Sequence, residues 1–214
     1  MSKQFLIVLL AAWAFFPETA AQGYAEATPE QKKVMLEKIT ASTKQLKSLV
    51  CDFEQTKELS ILNEKMVSKG KMFYRSDNCV RWEYTTPYAY TFVFNNNKIL
   101  MQTGNNRSVI DVKSNNLFQE IVKIMISSIN GSGLTDSKSF SAQFFQGTKG
   151  WMVALTPQQK EVKQMFSSIK LYFNLTDYSV DSVGMEEKNG DQTIIQLSKK
   201  QTNEKIENDM FRVD

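Results

Sequence analysis

No histidine occurs anywhere in the chain. That absence removes the commonest general base, the Ser-His-Asp and Cys-His nucleophile arrangements, and the usual zinc and iron ligand sets. The groups that could replace it are poorly placed for catalysis. Asp52, Glu54, Glu58 and Glu83 alternate along strand-like segments onto the face expected to meet water, where carboxylates are ordinarily solvated rather than paired as an acid and a base. No serine stands in a G-x-S-x-G setting, and Gly131-Ser132-Gly133 lacks the G-K-[ST] that completes a phosphate loop. The expectation is a protein that is not an enzyme and carries no metal or cofactor. The two cysteines, Cys51 and Cys79, lie near the same end of a strand meander. A disulfide between them is the expectation, and two small buried thiols are the alternative.

A different chemistry is written between Phe73 and Phe94, where eight aromatic residues crowd one short stretch. Met72, Tyr74, Val80, Trp82, Tyr84, Tyr90, Phe92 and Phe94 share one parity of alternating strands and so line one broad apolar face, to which Met101 on the next strand is also assigned. Such a face either meets helices as a solid core or walls a ligand cavity, and periodicity serves both.

The elements that must position this face can be read outward from it. Thr28-Pro29-Glu30-Gln31 opens a helix with an N-cap, a proline at the first helical position and a glutamine three residues after the cap. Met35, Ile39, Leu46 and Leu49 continue it as one stripe to about Val50. A five-strand antiparallel meander follows, turning near Leu62-Asn63-Glu64, Ser76-Asp77-Asn78, Pro87 and Asn95-Asn96-Asn97. Ser114-Asn115-Asn116 then caps a second helix from Leu117 to Ile129, ended by Gly131, that carries almost no polar face and must be covered on nearly every side. Five more strands are predicted at 140–146, 151–156, 168–174, 180–187 and 193–199.

The N-terminus reads as a signal peptide over residues 1–21, with Lys3 before an apolar core from Phe5 to Phe16 and a small-residue cleavage site at Thr19-Ala20-Ala21. Residues 22–214 then form a single domain, exported and without its own membrane anchor. A net charge of +3 with no basic block makes nucleic acid an unsuitable partner.

Taken in order, the motifs resemble the outer-membrane lipoprotein carrier (LolA) family of Gram-negative bacteria. The matching pieces are Phe53-x-Gln55, Gly70-Lys71-Met72-Phe73-Tyr74, and Arg81-Trp82-Glu83-Tyr84-x-x-Pro87. They continue with Asn97-Lys98, Leu155-Thr156-Pro157, Phe166-x-x-Ile169-x-Leu171-x-Phe173 and Asp191-x-Thr193-x-Ile195. The resemblance implies an α+β, mostly antiparallel fold, an incomplete half-open β-barrel with helices covering the open side. It also implies a periplasmic location and an apolar cavity for the acyl chains of lipoproteins. Met72, Tyr74, Trp82, Tyr84, Tyr90, Phe92, Phe94 and Met101 are then the cavity wall, and Leu117, Ile121, Ile124 and Met125 its lid. The partners implied are acylated lipoproteins, an inner-membrane lipoprotein-releasing transporter as donor and an outer-membrane acceptor, served by a monomeric carrier. The family often places a basic residue and a proline between its second and third strands, with the basic side chain helping to hold the lid; here that stretch is Arg75-Ser76-Asp77, one position out of step. The rival readings are a module of the same architecture that binds or senses another amphiphile, and an interaction domain with a solid core.

Overall fold

A computed structural model describes residues 23–62, 64–114 and 116–213. The expected signal peptide at 1–21 lies outside the described residues, as do the turn residue Asn63 and the cap residue Asn115. Along the described chain the order is β1 (Tyr24–Glu26), α1 (Pro29–Lys44), β2 (Ser48–Leu59), β3 (Glu64–Arg75), β4 (Cys79–Thr86), β5 (Tyr90–Asn95), β6 (Lys98–Thr103), β7 (Asn106–Asp111), α2 (Asn116–Asn130), β8 (Phe140–Gly147), β9 (Trp151–Pro157), α3 (Lys160–Met165), β10 (Phe166–Phe173), β11 (Val180–Glu187) and β12 (Gln192–Thr202). Short 3-10 segments occupy Val112–Ser114, Ser132–Leu134 and Asn208–Phe211.

The strands form one sheet in the order β1-β8-β9-β10-β11-β12-β2-β3-β4-β5-β6-β7. Neighbours run antiparallel throughout, and β1 and β7 remain as its two edges, so the barrel is unclosed. Two meanders are joined by the β12–β2 ladder, which runs from Gln192↔Glu58 to Thr202↔Leu49. This pairing brings the end of the chain against its first long strand, a contact that no local pattern specifies.

The start of α1 follows from its sequence. Thr28 Oγ1 accepts from the Gln31 backbone N–H at 3.3 Å while Gln31 Oε1 accepts from the Thr28 N–H at 2.9 Å, a reciprocal capping box with Pro29 at the first turn. Its end does not follow from the apolar stripe. The helix stops at Lys44 rather than near Val50, and Leu49 enters β2. Leu49, Cys51 and Phe53 also alternate with period two, and the ladders to β3 and β12 supply the partners that make the strand the better use of them. The strands β1 and β7 and the helix α3 are additions to the predicted set. β1 has three residues and β7 is mostly polar and exposed, so neither carries a hydrophobic period.

The helices define an inner face of the sheet. Met35 and Ile39 of α1 are buried with Ile124 of α2 against Phe144, Val153 and Leu171 of β8–β10. The outer face carries its own smaller core, in which Phe211 and Val213 from the C-terminal segment cover Cys79, Val93 and Leu100.

Candidate functional site: an apolar cavity beneath the second helix

Three rungs cross the inner face of β2–β6 in register. The first is Leu49↔Tyr74↔Val80↔Phe94↔Ile99, the second Cys51↔Met72↔Trp82↔Phe92↔Met101, and the third Phe53↔Gly70↔Tyr84↔Tyr90. Alternation alone puts all of these side chains on one side. What differs between rungs is what lies on them.

Helix α2 fills the first rung except at Leu49, which borders the cavity. Tyr74 is buried among Leu49, Val80, Ile126 and Ile129, and Phe94 packs with Ile99, Val112 and Val122. Along the other two rungs a cavity of about 690 Å³ remains. Met72, Trp82, Tyr84, Tyr90 and Phe92 form its wall on the sheet, and Ile121, Ile124 and Met125 face it from α2. Three expected wall residues, Tyr74, Phe94 and Met101, do not line it, because α2 crosses above them. Met101 packs half-buried beside Phe94 and Val122. Of the expected lid residues, the side chain of Leu117 lies outside the described residues. The helix is not covered all round: Gln119 and Lys123 are exposed, and Ile121, Met125 and Ile129 are half-buried because they look into empty space.

The opposite wall was missed in the sequence reading. Val183 and Met185 of β11 and Ile195 and Leu197 of β12 complete the enclosure. Their period-two spacing was visible in the sequence. The sheet order that carries them next to β2 was not.

The wall is closely packed where its aromatics meet. The Phe53 ring lies 4.7 Å from Trp82 and 4.9 Å, edge on, from Tyr84. Gly70 makes this possible, since a Cβ there would meet the Glu83 carbonyl oxygen at 1.9 Å and Phe53 Cε1 at 2.8 Å. Tyr84 donates its hydroxyl to Gln55 Oε1 at 2.9 Å. Burial first, then the neighbouring Tyr90 phenol, pushes the Tyr84 hydroxyl up to about 12, so it stays a neutral donor. Polar groups gather at the other end of the cavity, where Lys200 donates to Ser179 Oγ at 2.6 Å and is ion-paired with Asp181. No group of three or more metal-ligating side chains converges among the described residues.

The expected Cys51–Cys79 disulfide is corrected by the structure. Both thiols are free and buried, on opposite faces of the sheet. Cys51 is opposite Met72 and Cys79 opposite Arg75, and residues three apart on β3 point to different sides. Burial pushes the Cys51 thiol up to about 12 and the Cys79 thiol up to about 11, which makes both poor nucleophiles at neutral pH. Arg75 likewise faces away from α2. Its guanidinium binds Asp77 at 2.9 Å and Asn208 Oδ1 at 2.7 Å and stands 4.9 Å over the Phe211 ring, so it secures the C-terminal segment on the outer face.

An unclosed antiparallel sheet with helices against its inner face and an apolar cavity between them defines a half-barrel with a ligand-sized cavity. Within that class, the chain belongs to the outer membrane lipoprotein carrier protein LolA family, whose model matches residues 44–214. That family takes its name from carriers of outer-membrane lipoproteins. Among solved structures it is similar to an uncharacterised conserved protein from Thermus thermophilus, at 8% identity over 85% of this chain and 93% of that one, with a TM-score of 0.51. It is also similar to a LolA superfamily protein from Nitrosomonas europaea, at 8% identity over 84% and 96% with a TM-score of 0.46. A third is the lipoprotein LppX of Mycobacterium tuberculosis, at 12% identity over 87% and 100% with a TM-score of 0.49. At such identities the likeness is one of fold. No curated protein matches the sequence. Among the described residues no helix is long and apolar enough to cross a membrane.

Proposed function

We propose that this protein is an exported, monomeric periplasmic carrier that encloses the acyl chains of lipoproteins and moves them from the inner to the outer membrane. It would receive them from a lipoprotein-releasing transporter and pass them to an outer-membrane acceptor. The observation that supports this reading is the apolar cavity of about 690 Å³ between the aromatic sheet face and α2, in a chain of the lipoprotein carrier family. Each methylene held out of water is worth about 0.8 kcal/mol, so acyl chains do not cross an aqueous space unless a protein replaces the bilayer around them. In this reading Met72, Trp82, Tyr84, Tyr90 and Phe92 contact the cargo. Ile121, Ile124 and Met125 act as a lid that exchanges its own apolar contacts for those of the lipid.

Two measurements test the proposal. Native mass spectrometry of protein taken from its own cell envelope should show a co-purifying acylated protein; a free lipid in its place would favour the amphiphile-binding reading. In a titration with a fluorescent lipid, Met125→Glu should weaken retention about tenfold, because a carboxylate resists desolvation under a closed lid. Unchanged retention by a folded Met125→Glu protein would remove α2 from the site.

A further inference from the structure

Most of the large apolar side chains left exposed among the described residues gather at one end of the sheet. Ile61 and Leu62, 88% and 61% exposed, cap the β2–β3 hairpin. Met66 and Val67 follow on β3, Tyr88, 80% exposed, stands in the β4–β5 turn, and Met165 closes α3. The register shows that these belong together. The last pairing of β4 is Thr86 with Lys69, so the hairpin overruns β4 and leaves Met66 and Val67 without a strand on that side. Ser60, beside the tip, donates to the Asn189 carbonyl at 3.1 Å in the β11–β12 turn, and the neighbouring Lys188 N–H donates to the Met165 carbonyl at 2.9 Å. Turn by turn, the end of the half-barrel carries an apolar rim with a projecting tip, interspersed with the charged Glu58, Glu64 and Lys65.

Three observations decide what such a rim fits. Its most exposed members sit on a protrusion rather than in a groove, and aliphatic side chains on a protrusion need either a matching pocket or a fluid apolar medium that takes any shape. Lys65 and Lys69 rise from the same hairpin with side chains 66% and 58% exposed. Each is paired with a glutamate, Glu58 or Glu54, in a solvent-exposed pair weak enough to be exchanged for a lipid phosphate. Tyr88 supplies the amphipathic ring that settles at headgroup level. The rim adjoins the cavity lining along the chain: Met165 precedes the cavity residue Phe166, and Tyr88 lies two residues before the cavity residue Tyr90.

We infer that this rim docks on a lipid bilayer, with Ile61 and Leu62 inserted among the acyl chains, so that lipid passes between membrane and cavity at this end. The docking rests only on the rim; the passage of lipid rests on the carrier reading above.

The test uses the protein purified from its own cells and depleted of lipid, floated with vesicles of equal parts phosphatidylethanolamine and phosphatidylglycerol. In parallel, cavity binding is read with a fluorescent fatty acid. The protein should float with the vesicles, and the paired substitution I61D/L62D should cut the bound fraction by about tenfold or more, since each inserted side chain is replaced by a charge. Fatty-acid affinity should be the same for both forms, because neither residue lines the cavity. Failure of the unsubstituted protein to float, or equal flotation of the variant, overturns the docking. Concentration-dependent self-association lost in the variant, with no vesicle binding, overturns it in favour of a second copy. A protein that floats through Ile61 and Leu62 yet takes up no fatty acid keeps the docking and removes the carrier reading; one that takes up fatty acid without floating does the reverse.

Discussion

Phe92 and Phe173 are the same residue type under the same layer of helices, yet truncating them should cost different amounts. Phe173 is 2% exposed in the main core, where a change to alanine costs about 3–5 kcal/mol. Phe92 is half-buried and borders the cavity, so part of its contact surface faces no protein atoms. Phe92→Ala should therefore lose distinctly less stability in a urea titration while lowering fluorescent-lipid affinity severalfold. A loss equal to that of Phe173→Ala, with affinity per folded molecule unchanged, would show that Phe92 belongs to a core. The cysteines teach a related lesson at this scale. The alternation that puts Val80 on the inner face puts its neighbour Cys79 on the outer one, so the separation of the two thiols was already present in the spacing. Proximity to the same turn was the weaker guide.

The second helix is the element on which the site depends, and its attachment is partly electrostatic. Lys123 on its exposed side reaches Asp136 at 2.8 Å, beyond the turn that Gly131 makes with a φ of 69°. The Lys123 ammonium first, then the Ser139 hydroxyl, holds the Asp136 carboxyl down at about 2. An ordinary aspartate in the unfolded chain titrates at about 3.9. The folded value lies below the unfolded one, so the stabilisation is complete above about pH 4 and is lost as the pH falls toward 2. Unfolding free energies of the wild type and Asp136→Asn should accordingly differ by a constant amount at neutral pH and converge toward pH 2. A difference that does not vary with pH would mean that the ion pair contributes nothing. The first helix shows the opposite balance of local and distant forces. Its capping box was readable residue by residue, whereas its end at Lys44 was fixed by strands that lie far away in sequence.

At the scale of the molecule, the sheet separates two apolar regions with different duties. The inner one surrounds the cavity, and the outer one is sealed by the C-terminal segment, where Phe211 is fully buried. Phe211→Ala should cost about 3–5 kcal/mol, yet leave lipid affinity per folded molecule unchanged, because Phe211 and the residues it covers, Cys79, Val93 and Leu100, do not line the cavity. Combined with Phe92→Ala, the two losses should add to within about 0.5 kcal/mol, as expected for sites that share no partner. Coupling well beyond that would show that the sheet transmits strain from one face to the other.

Much of this architecture was determined by the sequence itself. The period-two runs set which residues of β2–β6 share a face, the asparagine and proline turns set where those strands reverse, and Thr28 and Gly131 set where helices begin and end. These are short-range steric and hydrogen-bonding preferences, and each is expressed within a few residues of its cause. The tertiary structure alone decided whether the aromatic face would be a core or a wall. That choice turned on where α2 lies across the rungs and on the β12–β2 ladder that brings Val183, Met185, Ile195 and Leu197 around to face it. An apolar side chain gains burial against a helix, a strand or a ligand alike, so its type and spacing carry no record of which neighbour the folded chain will supply.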